Sequence, residues 1–213
     1  MTATTSNNQT AEQQQIDRVV RLTRIERQTI EVSIIGVTPV IPHKWSEKAK
    51  GLMRAKQSAP ASARPKLTAK NAEAEAEASL YRLADGRPGL PAAAFRAATI
   101  GGARFYGKDV TLVAMKASLF VLGEGDDQLV PITGEMTMRE DTPRNSGGVV
   151  DLRYRYAIFP WSAVLRVQFV PSIIDAESVV NLIDAGGNGG VGDWRPSAPK
   201  SLTGSFGRYE VKL

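Results

Sequence analysis

The chain turns on S-I-I-D-A-E-S-V-V-N-L-I-D-A-G-G-N-G-G-V-G-D-W-R-P, residues 172–196, followed by G-S-F-G-R-Y-E-V-K-L at 204–213. Ile174, Val179, Leu182 and Ile183 recur at spacings near three and four, so a helix with one apolar face starts at about Asp175. Asp175 suits the N-cap, because a carboxylate matches the positive helix end. Gly186 and Gly187 are expected to stop the helix, where a left-handed residue can close it. A loop with Gly189, Gly190 and Gly192 then carries Trp194 and Arg195, and residues 206–213 read as a strand. Such a loop can bring backbone N–H groups close to a phosphate chain, with Arg195 on phosphate and Trp194 stacking on a base or bracing the loop. The structural alternative is that the glycines only permit a tight turn and Trp194 fills the core.

Composition narrows the function. The chain has 213 residues, no cysteine and one histidine, His43. Disulfides, thiolate catalysis and cysteine-bound metals are thereby excluded. A histidine-based metal site or a Ser-His-Asp triad is disfavoured, and no cofactor or metal is expected. Apolar residues make up 42%, enough for a core, and no long uncharged apolar run suggests a membrane span. The polar opening shows no secretory signal, and a cytoplasmic location is expected. The net charge of +5 favours an anionic partner, of which nucleic acid is the commonest.

Outward from the quoted stretch, residues 1–28 read as a disordered tail or arm, and 29–213 as one domain. Residues 29–37 alternate Ile30, Val32 and Ile34 with Glu31 and Ser33, a strand. Residues 44–70 carry Lys44, Lys48, Lys50, Arg54, Lys56, Arg64, Lys66 and Lys70 against the single acid Glu47, with Trp45, Leu52 and Met53 interleaved. The first half reads as a helix and S-A-P-A-S-A-R-P-K as a loop. This segment is either a clamp on a phosphate backbone or a solvated basic helix. The A-E-A-E-A-E-A run at 72–78 alternates, but Ala and Glu are helix formers, so a helix is expected over 71–83. Another helix is expected over 90–104, with Pro91 in its first turn, Phe95 and Ile100 packed, and Arg96 and Arg104 pointing outward. Residues 110–122 read as a strand. Residues 128–139 and 149–159 read as a hairpin whose basic tip holds Arg139 and Arg144, with Arg153 and Arg155 alternating against Tyr154 and Tyr156. A separate strand is expected at 163–170.

With two insertions set aside, at about 38–89 and 124–160, the order is strand, helix, strand, strand, helix, strand. That is an α+β, ferredoxin-like (RRM-like) β-α-β-β-α-β core, with one basic helical insertion and one β-hairpin thumb. Fold alone does not fix function.

Three features resemble the RAMP (repeat-associated mysterious protein) superfamily, in particular the backbone subunit of CRISPR effector complexes. The proline-led G-L-P-A-A-A-F-R-A-A at 89–98 is similar to the family's helix after the first insertion. The A-G-G-N-G-G-V-G-D-W-R loop at 185–195 is similar to its glycine-rich loop, and the insertions fall where the family places its finger region and thumb. The Ala-Ala-Phe-Arg-Ala core of the proline helix departs from the usual Ser-Ser-Leu-Lys-Gly, and the chain is short for a backbone subunit. A compact viral, phage or mobile-element relative is also compatible. The resemblance implies a non-catalytic protein of an antiviral ribonucleoprotein that forms a homo-oligomer along single-stranded RNA, with other effector subunits as possible partners. Single-stranded DNA binding or annealing is an alternative, since only contacts to the 2′-OH separate the polymers. A metal-independent RAMP-type ribonuclease is another, for which His43 is the one obvious base.

Overall fold

The computed structural model describes residues 21–45, 47–58, 71–108, 110–143, 150–199 and 202–212. The N-terminal 20 residues, the Ser-Ala-Pro loop with Arg64, Lys66 and Lys70, and the hairpin tip with Arg144 lie outside that description. Residues 21–27 are exposed and without regular structure.

The fold is α+β with two antiparallel sheets. Strand β1 (Gln28–Gly36) buries Val32 and Ile34 and exposes Glu31 and Ser33, the period-two pattern of its sequence. It lies between β7 (Arg153–Phe169) and β8 (Tyr209–Val211), with Ile34 opposite both Ala163 and Val211. Strand β4 (Leu119–Leu122) adds to the far side of β7, giving the order β4-β7-β1-β8. The second sheet is β2 (Tyr81–Arg82), β3 (Pro88–Pro91) and β5 (Leu129–Pro131), in the order β2-β3-β5. Two helices lie in the basic stretch and the Ala-Glu run, α1 (Glu47–Ser58) and α2 (Ala72–Ala78). The Ala-Glu run is helical as its propensities require, and Asn71 Oδ1 accepts the Ala74 N–H at 2.9 Å.

Helices α3 (Ala92–Gly102) and α5 (Ala176–Gly187) pack together on the five-stranded sheet. Phe95, Leu182 and Ile183 meet Leu165, Val167 and Phe169 in one core, all 0–2% exposed. Asp175 caps α5, its Oδ1 accepting the Ser178 N–H at 2.9 Å. Where α3 and α5 cross, their backbones touch. A Cβ on Gly102 would lie 2.6 Å from the Leu182 carbonyl oxygen, and one on Gly186 2.6 Å from that of Ala98. These glycines set the helix spacing.

Several sequence expectations change: the helix expected over 71–83 ends at Ala78, ahead of β2, and the strand expected over 128–139 is divided between β5 and a second strand that starts at Thr133. Residues 110–122 are not one strand: Thr111 accepts the Ala114 N–H at 3.2 Å and starts α4 (Leu112–Ser118), which runs directly into β4. Ala114, Met115, Lys116 and Ala117 are helix formers, and the N-cap decides the local contest. The hairpin and the strand after it are not separate: β6 (Thr133–Asp141) pairs with the first half of β7, and β7 continues unbroken into the central sheet. A register shift between Gly134 and Met136 sits opposite Phe159 and Pro160, so the proline falls where the ladder is already interrupted. Pro91 ends β3 and is the N-cap of α3 rather than part of its first turn. Finally, α5 ends at Gly187 as expected, but its C-cap Asn188 is right-handed, and the left-handed glycine comes later, at Gly190 with φ 67°.

The backbone contact between α3 and α5 gives a first expectation. Gly186→Val should cost about 1–3 kcal/mol or more in urea denaturation, because added volume at a closed crossing forces the helices apart. An unchanged midpoint would mean that the crossing relaxes freely.

Candidate nucleic-acid interface

The chain leaving β1 runs between the hairpin root and the glycine-rich loop. Val40 exchanges two hydrogen bonds with Ile158 of β7, at 3.1 and 2.9 Å. Ile41 O accepts the Asp193 N–H at 2.8 Å, and Pro39 O accepts the Gly207 N–H at 2.8 Å. The loop glycines are shaped by this proximity. Gly192 has φ 78°, and a Cβ there would lie 2.7 Å from Ile41 O; Gly190 has φ 67°, with Phe206 O at 2.8 Å. Gly189 is tied to Ser197, whose N–H it accepts at 3.0 Å. The close approach that these glycines permit is that of the chain's own backbone. That is the structural alternative for these glycines, a tight turn against the chain's own backbone.

Beneath the loop lies a buried ionic chain. Arg155, 2% exposed, donates from Nη1 to Asp193 and from Nη2 to Asp141 Oδ2 at 3.1 Å. Asp141, 6% exposed, also accepts from Arg139 Nη2 at 2.7 Å. Asp193 accepts from His43 Nδ1 at 2.9 Å, and its Oδ1 accepts the Trp194 N–H at 3.0 Å. A carboxylate only accepts, so the His43 proton facing it is on Nδ1. The Trp194 ring lies 4.4 Å from the Arg155 guanidinium and 5.5 Å from that of Arg139, while Phe206 stacks 4.8 Å from Arg139. Trp194 holds a φ of 53°, a strained value for a bulky residue, and it does so inside this stack. Burial alone would raise the Asp193 pKa. The His43 hydrogen bond and the Arg155 charge overcome it and hold the carboxyl at about 2, below its usual 3.8.

Next to His43 a shallow groove of about 270 Å³ is lined by Lys44, Trp45, Lys50, Tyr81, Asp127 and Leu129. The Lys44 N–H is fixed to Ser79 O at 2.8 Å, and its Nζ stands 5.9 Å from the centre of the Tyr81 ring. Tyr81 OH donates to His43 O at 3.4 Å, and burial pushes its pKa up. Trp45 is 52% exposed. Two cations and two aromatic rings thus share one concave surface, beside the ionic chain.

The structure draws Lys44 and Lys50 into the groove and gathers Arg139, Trp194 and Arg195 with the glycines at the loop. Arg54 is exposed on α1, and the side chains of Lys48 and Lys56 lie outside the described residues. Three arginines among the expected nucleic-acid contacts have partners within the fold. Arg96 donates to Leu119 O at 2.8 Å and to Lys116 O at 2.5 Å, fastening the α4–β4 junction, with Phe120 4.7 Å away. Arg195 donates to Gly192 O at 2.9 Å. Arg139 belongs to the ionic chain; it faces Arg155 two residues from the last ladder pair, Asp141 with Arg153, and so lies toward the tip end of the hairpin. Arg104 is exposed but stands after α3, away from the groove.

Sequence reasoning missed Asp141, Arg155 and Asp193. Alternation with Tyr154 and Tyr156 does not single Arg155 out, yet it is more buried than either tyrosine. The local signal was Asp193-Trp194, an acid and an indole directly after the glycines. Among the described residues no helix is long and apolar enough to cross a membrane, and no cluster of His, Asp and Glu could hold a metal ion.

No family model and no curated protein matches this chain. Among solved structures it is similar to Cmr6 from Pyrococcus furiosus, at 10% identity and a TM-score of 0.41 over 89% of this chain and 100% of that one. It is also similar to a chain of the Type III-B Cmr-beta complex bound to cognate target RNA, at 10% identity and a TM-score of 0.43 over 97% of this chain and 64% of that one.

The site yields two expectations. The folded-state pKa of Asp193 is depressed, so its contribution is complete above pH 4 and lost as pH falls through about 2. Unfolding free energies between pH 4 and 2 should therefore fall more steeply for the wild type than for Asp193→Asn; parallel slopes would show the carboxylate to be uncoupled from folding. Gly190→Val should lower the melting temperature, because Phe206 O occupies the space its side chain needs.

Proposed function

We propose that this chain is a non-catalytic protein that binds single-stranded nucleic acid, RNA in preference to DNA, and assembles along the strand as the backbone of a ribonucleoprotein complex. The observation that carries the reading is the groove in which Lys44 and Lys50 converge with Trp45 and Tyr81. Cations that track a backbone, interleaved with rings on which any base can stack, make a sequence-tolerant single-strand site. The groove adjoins the β6–β7 ribbon through His43, Asp193 and Arg155, and the ribbon's Met136 and Met138 are 41% and 44% exposed and available to a neighbouring copy. The strand order β4-β7-β1-β8, with α3 and α5 on one face, supports a ferredoxin-like core elaborated by the two insertions. A RAMP-type relationship and a cytoplasmic location belong to the same reading.

Binding should be measured with labelled oligouridine, its DNA counterpart and a duplex, across salt concentrations. Lys44→Glu with Lys50→Glu should weaken single-strand binding and reduce the slope of log affinity against log salt by about 1.4, roughly 0.7 per lost phosphate contact. Stronger binding of the DNA oligomer would favour the DNA-annealing alternative. Cleavage of the RNA by the wild type but not by His43→Ala would replace this reading with a ribonuclease. Absence of single-strand binding at low salt would end it.

A further inference from the structure

A second cavity stands apart from the groove, at the end of α3. It measures about 450 Å³ and runs from Ala103 to Leu112 along the turn that precedes α4. Its surroundings are unusually apolar for a surface. Phe105 is 68% exposed, Tyr106 42%, Leu112 37% and Val113 79%, four large side chains within nine residues. Isolated exposed apolar residues need no explanation, but a cluster around a concavity does.

The patch is braced. Tyr106 OH donates to Asn181 O of α5 at 3.2 Å, and Thr111 caps α4. Gly107, with φ 68°, has no heavy atom within 4 Å of where its Cβ would be, so the cavity floor is open. The basic side chains on its rim, Arg104 and Lys108, are both exposed.

Its position separates it from the nucleic-acid groove. α4 leads straight into β4, whose first residue, Leu119, pairs with Phe169 at the end of β7. β6 pairs with the opposite half of β7, from Ser162 out to Arg153. A ligand on the hairpin side therefore leaves this surface uncovered.

We infer that this surface docks a segment of a partner protein that carries both apolar and acidic side chains, its apolar residues seated against Phe105, Leu112 and Val113 and its carboxylates facing Arg104 and Lys108. The charge on the rim selects this occupant. A symmetric pairing of two such patches would set Arg104 and Lys108 against their own copies, like charges that a desolvated interface penalises. This inference does not depend on the nucleic-acid reading.

The test uses the full chain and two labelled 14-residue peptides. One has leucine at helical spacing with glutamate elsewhere; the other has lysine in place of each glutamate. The glutamate peptide should bind and the lysine peptide should not, by fluorescence anisotropy. Val113→Asp and Phe105→Ser, at sites exposed enough to leave folding intact, should each weaken binding by more than about tenfold. Arg104→Glu with Lys108→Glu should reverse the peptide preference, and oligouridine affinity should stay unchanged in Val113→Asp. Equal binding of both peptides, no binding of either, or indifference to both single substitutions overturns the inference. Self-association that Val113→Asp abolishes in sedimentation would assign the surface to a second copy, and would overturn it equally.

Discussion

The Arg155 guanidinium, buried between Asp141 and Asp193, is the constraint on which the molecule's functional end depends. Three chain segments far apart in sequence meet there: the β6–β7 ribbon, the stretch after β1 through His43, and the loop after α5. A buried charge is tolerated only when its partners are in place, and removing one carboxylate leaves an uncompensated ion at a cost of about 3–5 kcal/mol. The gain over an apolar core of equal volume is small. What the ions add here is direction, since a guanidinium accepts only certain placements of its two acids.

That fixed geometry organises the groove. His43 is anchored on Asp193, and Lys44 and Trp45 follow it directly in the chain. The Lys44 amide is tied to Ser79 and the Tyr81 hydroxyl to His43 O, so both elements of the first insertion that border the groove are referenced to the ionic chain. The cationic surface is a consequence of buried electrostatics, and its shape does not rest on lysine side chains finding their own positions.

Local pattern made much of the architecture legible in the sequence. β1 and α5 were readable because burial on one face imposes a period on the residues, and the Asp175 cap marks where the period starts. The α4–β4 stretch was misread because its apolar residues serve a helix and a strand in succession, and only the Thr111 cap separates them. β7 was divided at Pro160 because a proline ordinarily ends a ladder; the register shift in β6 that accommodates it is a property of the partner strand. The site was less legible still. Lys44, Lys50, Trp45 and Trp194 stood out by type, but Arg155, Asp141 and Asp193 are defined by who faces whom across the fold. The glycines were visible, whereas the backbone they approach, Ile41 and Phe206, could not be known from spacing.

The unbroken course of β7 has a mechanical meaning. One half of the strand lies in the centre of the main sheet, and the other is one leg of the projecting ribbon. No linker intervenes, and the bridge to Val40 clamps the strand at Ile158, near the point where it passes from one role to the other. The ribbon therefore moves with the core as a beam held at two points does, by the sheet and Val40 at its root and by the Arg155–Asp193 pair near its far end. A load applied farther along it is carried into the hydrogen-bond ladder with β1 instead of being absorbed by a swivel. The spacing between ribbon and groove is therefore preset by the fold, as in a caliper with a locked jaw.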